Sequence, residues 1–220
     1  MENRSFEILR EIVLQEIGNT IYMVAVSIVI AGIIGFVIAT FLRITDENGL
    51  CPNKIIYKIV DVFVNIVRSF PFIILAVAIL PLTRMLVGTS IGKEAAIVPL
   101  VISGSCFVAR LIEGNLKEVK EEVVEASKSF GASTMQIIFF VIVPEAIPGI
   151  VHSLTLACIA ILGSSAMAGA IGAGGLGAVA ISYGYQCFDD IVMYGVVITL
   201  VIIVQIIQTT GNLLYNKMKK

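Results

Sequence analysis

Four uninterrupted apolar runs, each long enough to cross a bilayer as a helix, decide what this chain can fold into. The hydrocarbon core of a membrane is about 30 Å thick, and a helix that rises about 1.5 Å per residue needs about 20 apolar residues to cross it. These runs are residues 21–42, 55–80, 95–112 and 191–207, the last extendable toward Leu214. A fifth run, residues 150–162, reaches spanning length only if it continues through the small residues 163–170. We therefore predict an all-α integral membrane protein with five transmembrane helices.

The composition supports this class and excludes others. Hydrophobic residues make up 58% of the 220 residues and charged residues only 14%, whereas a soluble domain has about 25% charged residues. The formal net charge of −1 excludes the basic surface that a nucleic-acid-binding protein needs. The first apolar run is longer than the core of a signal peptide, which has about 7–15 residues, so we predict that it is retained as the first span.

The distribution of lysine and arginine predicts the orientation. Five spans place the termini on opposite sides, and cytoplasmic loops are enriched in positive charge. With the C-terminus inside, ten basic residues are cytoplasmic: Arg43, Lys54, Lys58, Arg110, Lys117, Lys120, Lys128, Lys217, Lys219 and Lys220. Four are outside: Arg4, Arg10, Arg84 and Lys93. We predict an extracytoplasmic segment 1–17, a membrane domain 18–214 and a cytoplasmic tail 215–220.

The loop between spans three and four, residues 114–144, is then cytoplasmic. Asn115 followed by Glu118 is typical of a helix start, and Lys128 suits a last turn. Gly131 stands where a helix often ends in a left-handed residue. These signals predict a short helix over residues 116–130. An ordinary solvated connection with a charged face explains the pattern equally well.

A second helical segment follows in the same loop. Ser133 and Gln136 have the spacing of a capping box, in which side chain and backbone bond reciprocally at a helix start. Pro144 and Pro148 are expected to bend or stop this helix, because proline lacks the backbone N–H that continues it. The loop is predicted to consist of short helices that meet at Gly131.

The spacing of residues in this loop resembles a known family motif. Glu125-Ala126-Ser127, three residues, Gly131, nine residues and then the segment 141–144, Val-Ile-Val-Pro, resemble the cytoplasmic E-A-A-x3-G-x9-I-x-L-P loop of ABC-importer permeases. Ser127 replaces the second alanine of that pattern, and valines replace its isoleucine and leucine. Glu125, Ala126, Gly131 and Pro144 match it.

The resemblance implies a type I ABC-importer permease fold with a cytoplasmic coupling helix. In that family the loop docks into a groove of a separate ATP-binding subunit, so Glu125, Ala126, Ser127, Gly131 and Pro144 are the expected coupling residues. It also implies a homodimer, two ATP-binding subunits that hold ATP and Mg, and an extracytoplasmic substrate-binding protein. No cofactor is expected in this chain.

Four further sequence segments restrict the resemblance to one subgroup of these permeases. They are VNIVRSFPFIIL (64–75), VGTSIG (87–92), AAIVPL (95–100) and SAMAGAIGAGGLG (165–177). Together they resemble the permease of the methionine ABC importer, within the family of binding-protein-dependent transport system inner-membrane components. This resemblance implies import of D- or L-methionine, or both, by alternating access across a bacterial inner membrane. The alternative is a permease for another small amino acid or a derivative.

Three residues are candidates for the translocation pathway or its gate: Asn65, Arg68 and Met167. Arg68 is predicted near the middle of span two, where a charge costs roughly 2.5–3.5 kcal/mol unless it faces protein or water. It is either a structural residue, satisfied by free backbone carbonyls or by Asp61, or a residue that lines the pathway together with Asn65. Met167 is either a flexible gate plug or an ordinary packing methionine, because a thioether fills irregular gaps.

Other motifs point away from catalysis. Gly172, Gly174 and Gly177 satisfy G-x-G-x-x-G, but no strand–helix–strand unit surrounds them, so they predict close backbone packing in an outer loop or re-entrant segment. No phosphate-binding G-x-x-x-x-G-K-[ST] motif occurs, and His152 has no partner at catalytic or metal-binding spacing. An ion-coupled transporter would place carboxylates at membrane depth. Because the centres of spans one, three, four and five contain no acidic residue, this class is a less favoured alternative. We predict a permease that is not itself an enzyme and binds no metal.

Overall fold

The computed structural model describes residues 9–219 of the chain. Within these residues the regular structure is helical throughout, and no strand is present. Residues 1–8 and Lys220 belong to the predicted N-terminal segment and C-terminal tail and lie outside the described residues.

Ten α-helices follow one another in the described part of the chain. They are α1 (Leu14–Thr45), α2 (Lys54–Ser69), α3 (Phe72–Ala78), α4 (Leu80–Val87), α5 (Lys93–Lys117), α6 (Glu121–Ser129), α7 (Thr134–Ile137), α8 (Val143–Gly169), α9 (Gly175–Val179) and α10 (Asp190–Met218). Short π-helical segments adjoin α1, α8 and α9, at Leu9–Val13, Ile138–Ile142 and Ala180–Tyr185.

Four of these helical stretches are long and apolar enough to cross a membrane: Glu11–Thr45, Lys93–Lys117, Thr134–Gly169 and Asp190–Met218. The bent pair formed by α2 and α3 passes the same test when its two halves are taken together. Counting this pair as a single span gives the predicted five. The helices extend beyond the apolar runs at both ends because helix geometry continues into the polar flanks.

The second span is broken: the apolar run 55–80 forms the two helices α2 and α3 and not one continuous helix. The axes of α2 and α3 meet at 106°. Pro71 has no N–H to continue the helix, and a proline disfavours helical geometry in the residue before it. Phe70 accordingly has φ −75° and ψ 132°, and the chain turns away after Ser69.

The fourth span runs straight through its prolines, which do not stop it. The helix extends from Thr134 to Gly169. The predicted continuation of the apolar run 150–162 through small residues is therefore confirmed up to Gly169, and the helix also extends on the N-terminal side of residue 150. The π-helical segment just before Pro144 shifts the bonding register, and the N–H of Val143 bonds to the carbonyl of Ile138. A π turn of this kind accommodates a proline, whose ring otherwise clashes with the carbonyl four residues earlier.

Small residues let the spans approach closely. Ala31, Gly35 and Ala39 lie one turn apart on the buried face of α1. A Cβ atom on Gly35 would lie 2.7 Å from the Cβ of Val108 in α5. On α10, a Cβ atom on Gly211 would lie 2.2 Å from Thr155 Oγ1 in α8. Close approach of this kind is how membrane helices gain packing energy without a hydrophobic driving force between them.

The bundle has two distinct ends. The α6 end gathers the C-termini of α1 and α5 with the start of α8, and the α9 end gathers the N-termini of α1 and α5 with the end of α8. A buried apolar cluster lies at each end. Val108, Ile112 and Leu116 belong to the cluster nearer α6, whereas Met23 and Leu100 belong to the one nearer α9.

Candidate functional site

The motif-bearing helix α6 covers Glu121–Ser129. Glu121 and Glu122 in its first turn and Lys128 in its last turn complement the helix dipole. The chain then turns at Gly131, whose φ of +77° is left-handed. The prediction that Gly131 ends this helix is confirmed.

The predicted start of that helix is wrong. Asn115 lies inside α5, and its Nδ2 donates a 2.6 Å hydrogen bond to Ser153 Oγ in α8. Helix α5 continues to Lys117, and Lys120, with φ −57° and ψ 131°, precedes the first residue of α6. The asparagine therefore ties two spans together instead of capping a new helix.

The capping box after Gly131 is confirmed. Ser133 N–H donates to Gln136 Oε1 at 2.8 Å, and Gln136 N–H donates to Ser133 Oγ at 3.4 Å. These two bonds fix the start of α7 directly after the left-handed turn. Pro144 lies further on, exposed in the first turn of α8.

One side chain anchors α6 to the membrane bundle. Val124 is 4% exposed and belongs to a buried cluster with Leu116, Val119, Ile137 and Ile142. These partners come from the end of α5, the link to α6 and the start of the fourth span. Val124 therefore packs α6 against two membrane spans.

The opposite face of α6 is unpartnered. Glu125 and Ala126 are exposed, and Ser127 is half-buried with its hydroxyl donating to the carbonyl of Val123 at 2.8 Å. Large apolar side chains lie exposed around them: Val123 at 41%, Met135 at 61% and Phe130 at 91%. Large apolar side chains exposed among polar ones are typical of a protein-docking site.

Beside α6 lies a charged network that the sequence analysis did not identify. Its centre is Glu113, which is 1% exposed near the end of α5. Its carboxylate accepts from Arg110 Nη1 at 2.8 Å, from Lys117 Nζ at 2.9 Å and from Tyr57 OH at 3.0 Å. A buried carboxylate is tolerated when it is paired and hydrogen-bonded in this way. The signal in the sequence is the spacing of Arg110, Glu113 and Lys117, which places all three on one helix face.

This network reaches two further segments. Arg110 Nη2 pairs with Asp61 and donates to Asn65 Oδ1 at 2.9 Å, which connects α5 to α2. Lys117 Nζ lies 2.7 Å from Asp46 Oδ2, in the link after α1. The network therefore holds together the ends of three spans close to α6.

Asp61 does not pair with Arg68, so the interpretation that it satisfies this arginine is wrong. Asp61 bonds to Arg110 and also accepts from Asn65 Nδ2 at 3.1 Å. Arg68 lies in the last turn of α2, just before the break at Pro71, and forms no hydrogen bond or ion pair with any described residue.

Arg68 instead lines a cavity of about 150 Å³ between α2, α5 and α8. The other lining residues are Leu100, Ser103, Gly104, Phe107, Ala160, Ile161 and Ser164. Met167 follows one turn after this segment of α8 and is 52% exposed on the surface of the single chain. Asn65 belongs to the charged network.

The glycine-rich segment packs closely, as the sequence predicts. A Cβ atom on Gly177 would lie 2.1 Å from the carbonyl oxygen of Ala166. The N-terminal amides of α9 are already bonded to α1. Gly175 N–H donates to Glu16 Oε2 at 2.5 Å, and Leu176 N–H donates to Thr20 Oγ1 at 2.8 Å. These hydrogen bonds hold the start of α9 against α1, so the two amides are not available to a phosphate.

The remaining polar candidates are structural. The ring of His152 lies 5.8 Å from that of Tyr215 in α10. Among the described residues there is no group of three or more histidine, cysteine or acidic side chains arranged to hold a metal ion. Three features therefore remain as candidates for function: the exposed face of α6, the charged network around Glu113 and the cavity lined by Arg68.

Comparison with known proteins identifies close relatives. Residues 48–219 match the family described as binding-protein-dependent transport system inner membrane component. A probable D-methionine transport system permease protein of Vibrio cholerae is 43% identical over 212 residues, which cover 96% of this chain and 94% of that protein. A methionine import system permease protein of Bacillus subtilis is 44% identical over 179 residues, or 81% of each chain.

A solved structure shares the fold over nearly its whole length. A chain from the inward-facing MetNI methionine ABC transporter superposes with a TM-score of 0.95 at 40% sequence identity. The match covers 97% of this chain and 99% of that one.

Proposed function

Because this chain belongs to the family of binding-protein-dependent transport system inner membrane components, we propose that it carries methionine across the cytoplasmic membrane as the permease of an ATP-driven importer. The predicted all-α permease fold is confirmed by the family match and the structural similarity. Two relatives that match over most of their length are named for D-methionine transport and methionine import, which supports methionine, in either or both stereochemical forms, as the substrate.

The observation that carries the proposal is the two-sided character of α6. Its exposed face, around Glu125, Ala126 and Phe130, is available to a partner, whereas Val124 on its buried face is packed into two membrane spans. A helix with this arrangement converts movement of a docked subunit into movement of the bundle. We assign docking to Glu125, Ala126 and Ser127, and the turn that orients them to Gly131; Pro144 follows where the fourth span enters the bundle.

The partners follow from this assignment. Residues 9–219 offer one coupling helix, so a pair of ATP-binding subunits requires two copies of the chain, related by a two-fold axis. ATP and Mg bind to those subunits. A substrate-binding protein delivers methionine at the α9 end, which we assign to the extracytoplasmic side together with the N-terminus. The α6 end and the C-terminus are cytoplasmic, in keeping with the positive charge there.

Transport proceeds by alternating access. ATP binding draws the two ATP-binding subunits together, and their grooves move α6 in each permease copy. The buried contacts of Val124 and the charged network around Glu113 transmit that movement to the spans, so the pathway opens outward. Hydrolysis returns it to the inward-open state. Arg68, Asn65 and Met167 are proposed to lie along the pathway or its gate, and no bond of the substrate is broken.

The coupling assignment is tested by Glu125→Ala, with Glu94→Ala as the matched control, since Glu94 is also exposed but lies at the α9 end. The measurement is co-purification with the ATP-binding subunit. Glu125→Ala is expected to reduce co-purification, and Glu94→Ala, on the side assigned to the substrate-binding protein, to leave it unchanged. Equal behaviour of the two variants would contradict the docking assignment.

A further inference from the structure

Arg68 carries a positive charge that the described chain leaves without a counterion. It lies fourteen residues after Lys54, the first residue of α2, which places it about 21 Å along the helix at about 1.5 Å per residue. Measured from the first residue of α2, this position lies within a hydrocarbon layer of about 30 Å, and the side chain of Arg68 is exposed on the surface of the single chain. Ionisable residues at such depth face the interior of a bundle or a water-filled cavity and mark substrate or ion pathways.

The cavity beside Arg68 has an amphipathic lining. Ser103 and Ser164 contribute hydroxyl groups, and neither hydroxyl bonds to a described residue. Leu100 and Ile161 contribute an apolar wall, and both are buried. No acidic side chain lines the cavity. The cavity therefore combines one unpaired cation, two hydroxyls without a described partner and an apolar surface.

We propose that this cavity is a transient substrate subsite, in which the guanidinium of Arg68 binds the α-carboxylate of the transported amino acid. A planar guanidinium matches a carboxylate with two parallel hydrogen bonds, and the charged pair gains strength away from bulk water. The Ser103 and Ser164 hydroxyls contact the remaining polar atoms of the substrate, and Leu100 with Ile161 receives its apolar side chain. This inference rests on the proposed function.

The position of Arg68 suits a transient site. It immediately precedes the break between α2 and α3, where the chain turns by 106°, so a movement that changes this bend also moves the guanidinium. A transport site must bind strongly enough for the substrate to enter and weakly enough for it to leave. A single charged contact with no acidic partner for the substrate ammonium group meets both conditions.

The test measures substrate binding to the complete permease and ATP-binding complex without the binding protein, because the binding protein has its own substrate site. Saturation-transfer NMR on the S-methyl group reports methionine contact. Methioninol, in which a hydroxymethyl group replaces the carboxylate, is the matched ligand. The variants are Arg68→Gln, Arg68→Lys and the control Arg84→Gln, whose arginine is exposed beside Ser90.

The wild-type complex and Arg84→Gln are expected to bind methionine at least about tenfold more tightly than methioninol, as the loss of one charged hydrogen-bonding pair implies. Arg68→Gln loses that preference, and Arg68→Lys retains part of it. An equal preference for methionine over methioninol in wild type and Arg68→Gln would overturn the subsite. Failure of both Arg68 variants to assemble would also overturn it, because that result would show a structural role for Arg68. Wild-type uptake of methionine in proteoliposomes is measured alongside; its absence would reject the proposed function instead.

Discussion

Lys117 Nζ lies 2.7 Å from Asp46 Oδ2 and joins the end of α5 to the link that follows α1. The same ammonium group reaches the buried carboxylate of Glu113 at 2.9 Å. Since α6 begins four residues after Lys117, this pair stabilises the spans next to the coupling helix. Partial burial raises the pKa of Asp46, but hydrogen bonds from Lys117 and from the N–H of Asn48 outweigh it, and the pKa is lowered overall.

Asp46→Asn is expected to lower the thermal unfolding temperature at pH 7. The loss in free energy of unfolding should be no more than about 1 kcal/mol, because the ion pair is partly exposed. A lowered pKa in the folded state stabilises the protein above the unfolded value of about 3.9. This contribution is lost as the pH falls through the folded pKa, so wild type and variant should converge below about pH 4. Loss of helical circular dichroism on heating reports unfolding at each pH. Glu47→Gln is the control, because its pair with Lys54 is highly exposed; an equal effect there would contradict the prediction.

Val124→Ala and Val123→Ala separate the two faces of α6. Val124 is 4% exposed and Val123 is 41% exposed, so only the first substitution removes buried methyl groups, at a cost of about 1–3 kcal/mol. We expect Val124→Ala to reduce the free energy of unfolding and to lower transport per ATP hydrolysed. Val123→Ala should leave stability unchanged and weaken only subunit association. Equal stability loss in both variants would show that α6 is not anchored as described.

Gly131→Val tests the left-handed turn after α6. At φ +77° a side chain costs about 1–2 kcal/mol or more, although no atom would lie within 4 Å of its Cβ. The turn should change conformation and misplace Glu125, which uncouples ATP hydrolysis from uptake. Gly114→Val is the control, because Gly114 is helical and its surroundings are also open. Normal coupling in Gly131→Val would argue against a role for the turn.

Thr20→Val tests the cap that α1 provides to α9. Thr20 Oγ1 accepts the buried N–H of Leu176 at 2.8 Å, and loss of an acceptor for a buried donor costs about 1–3 kcal/mol. The variant should unfold at lower temperature than wild type. Thr210→Val serves as control, since that exposed hydroxyl bonds only within its own helix. A variant at position 20 as stable as the control would mean that the cap contributes nothing.

The number of spans and the turn at Gly131 could be predicted because apolar length, a capping box and a helix-ending glycine are local signals. Proline at position 71 favours a break in the helix, but the angle of 106° between α2 and α3 depends on how α3 packs against α5 and α8. The helical passage through Pro144 required a π turn, which no residue in the sequence specifies.

The long-range polar pairing could not be predicted in the same way. Asp61 lies seven residues from Arg68, two turns along one helix, yet it pairs with Arg110 on another. Helix periodicity shows which residues share a face, but it does not show which faces meet. For the same reason, the capping of α9 by Glu16 and Thr20 appears only in the folded chain, because both residues lie far from α9 in the sequence.

The central claim is that this chain imports methionine when a partner hydrolyses ATP. The most direct test is uptake of labelled methionine into proteoliposomes that contain this chain, its ATP-binding subunit and its substrate-binding protein. We predict uptake that requires ATP and the binding protein and that falls in assembled Glu125→Ala complexes. Uptake without ATP, or ATP-driven uptake of other amino acids with none of methionine, would contradict the claim.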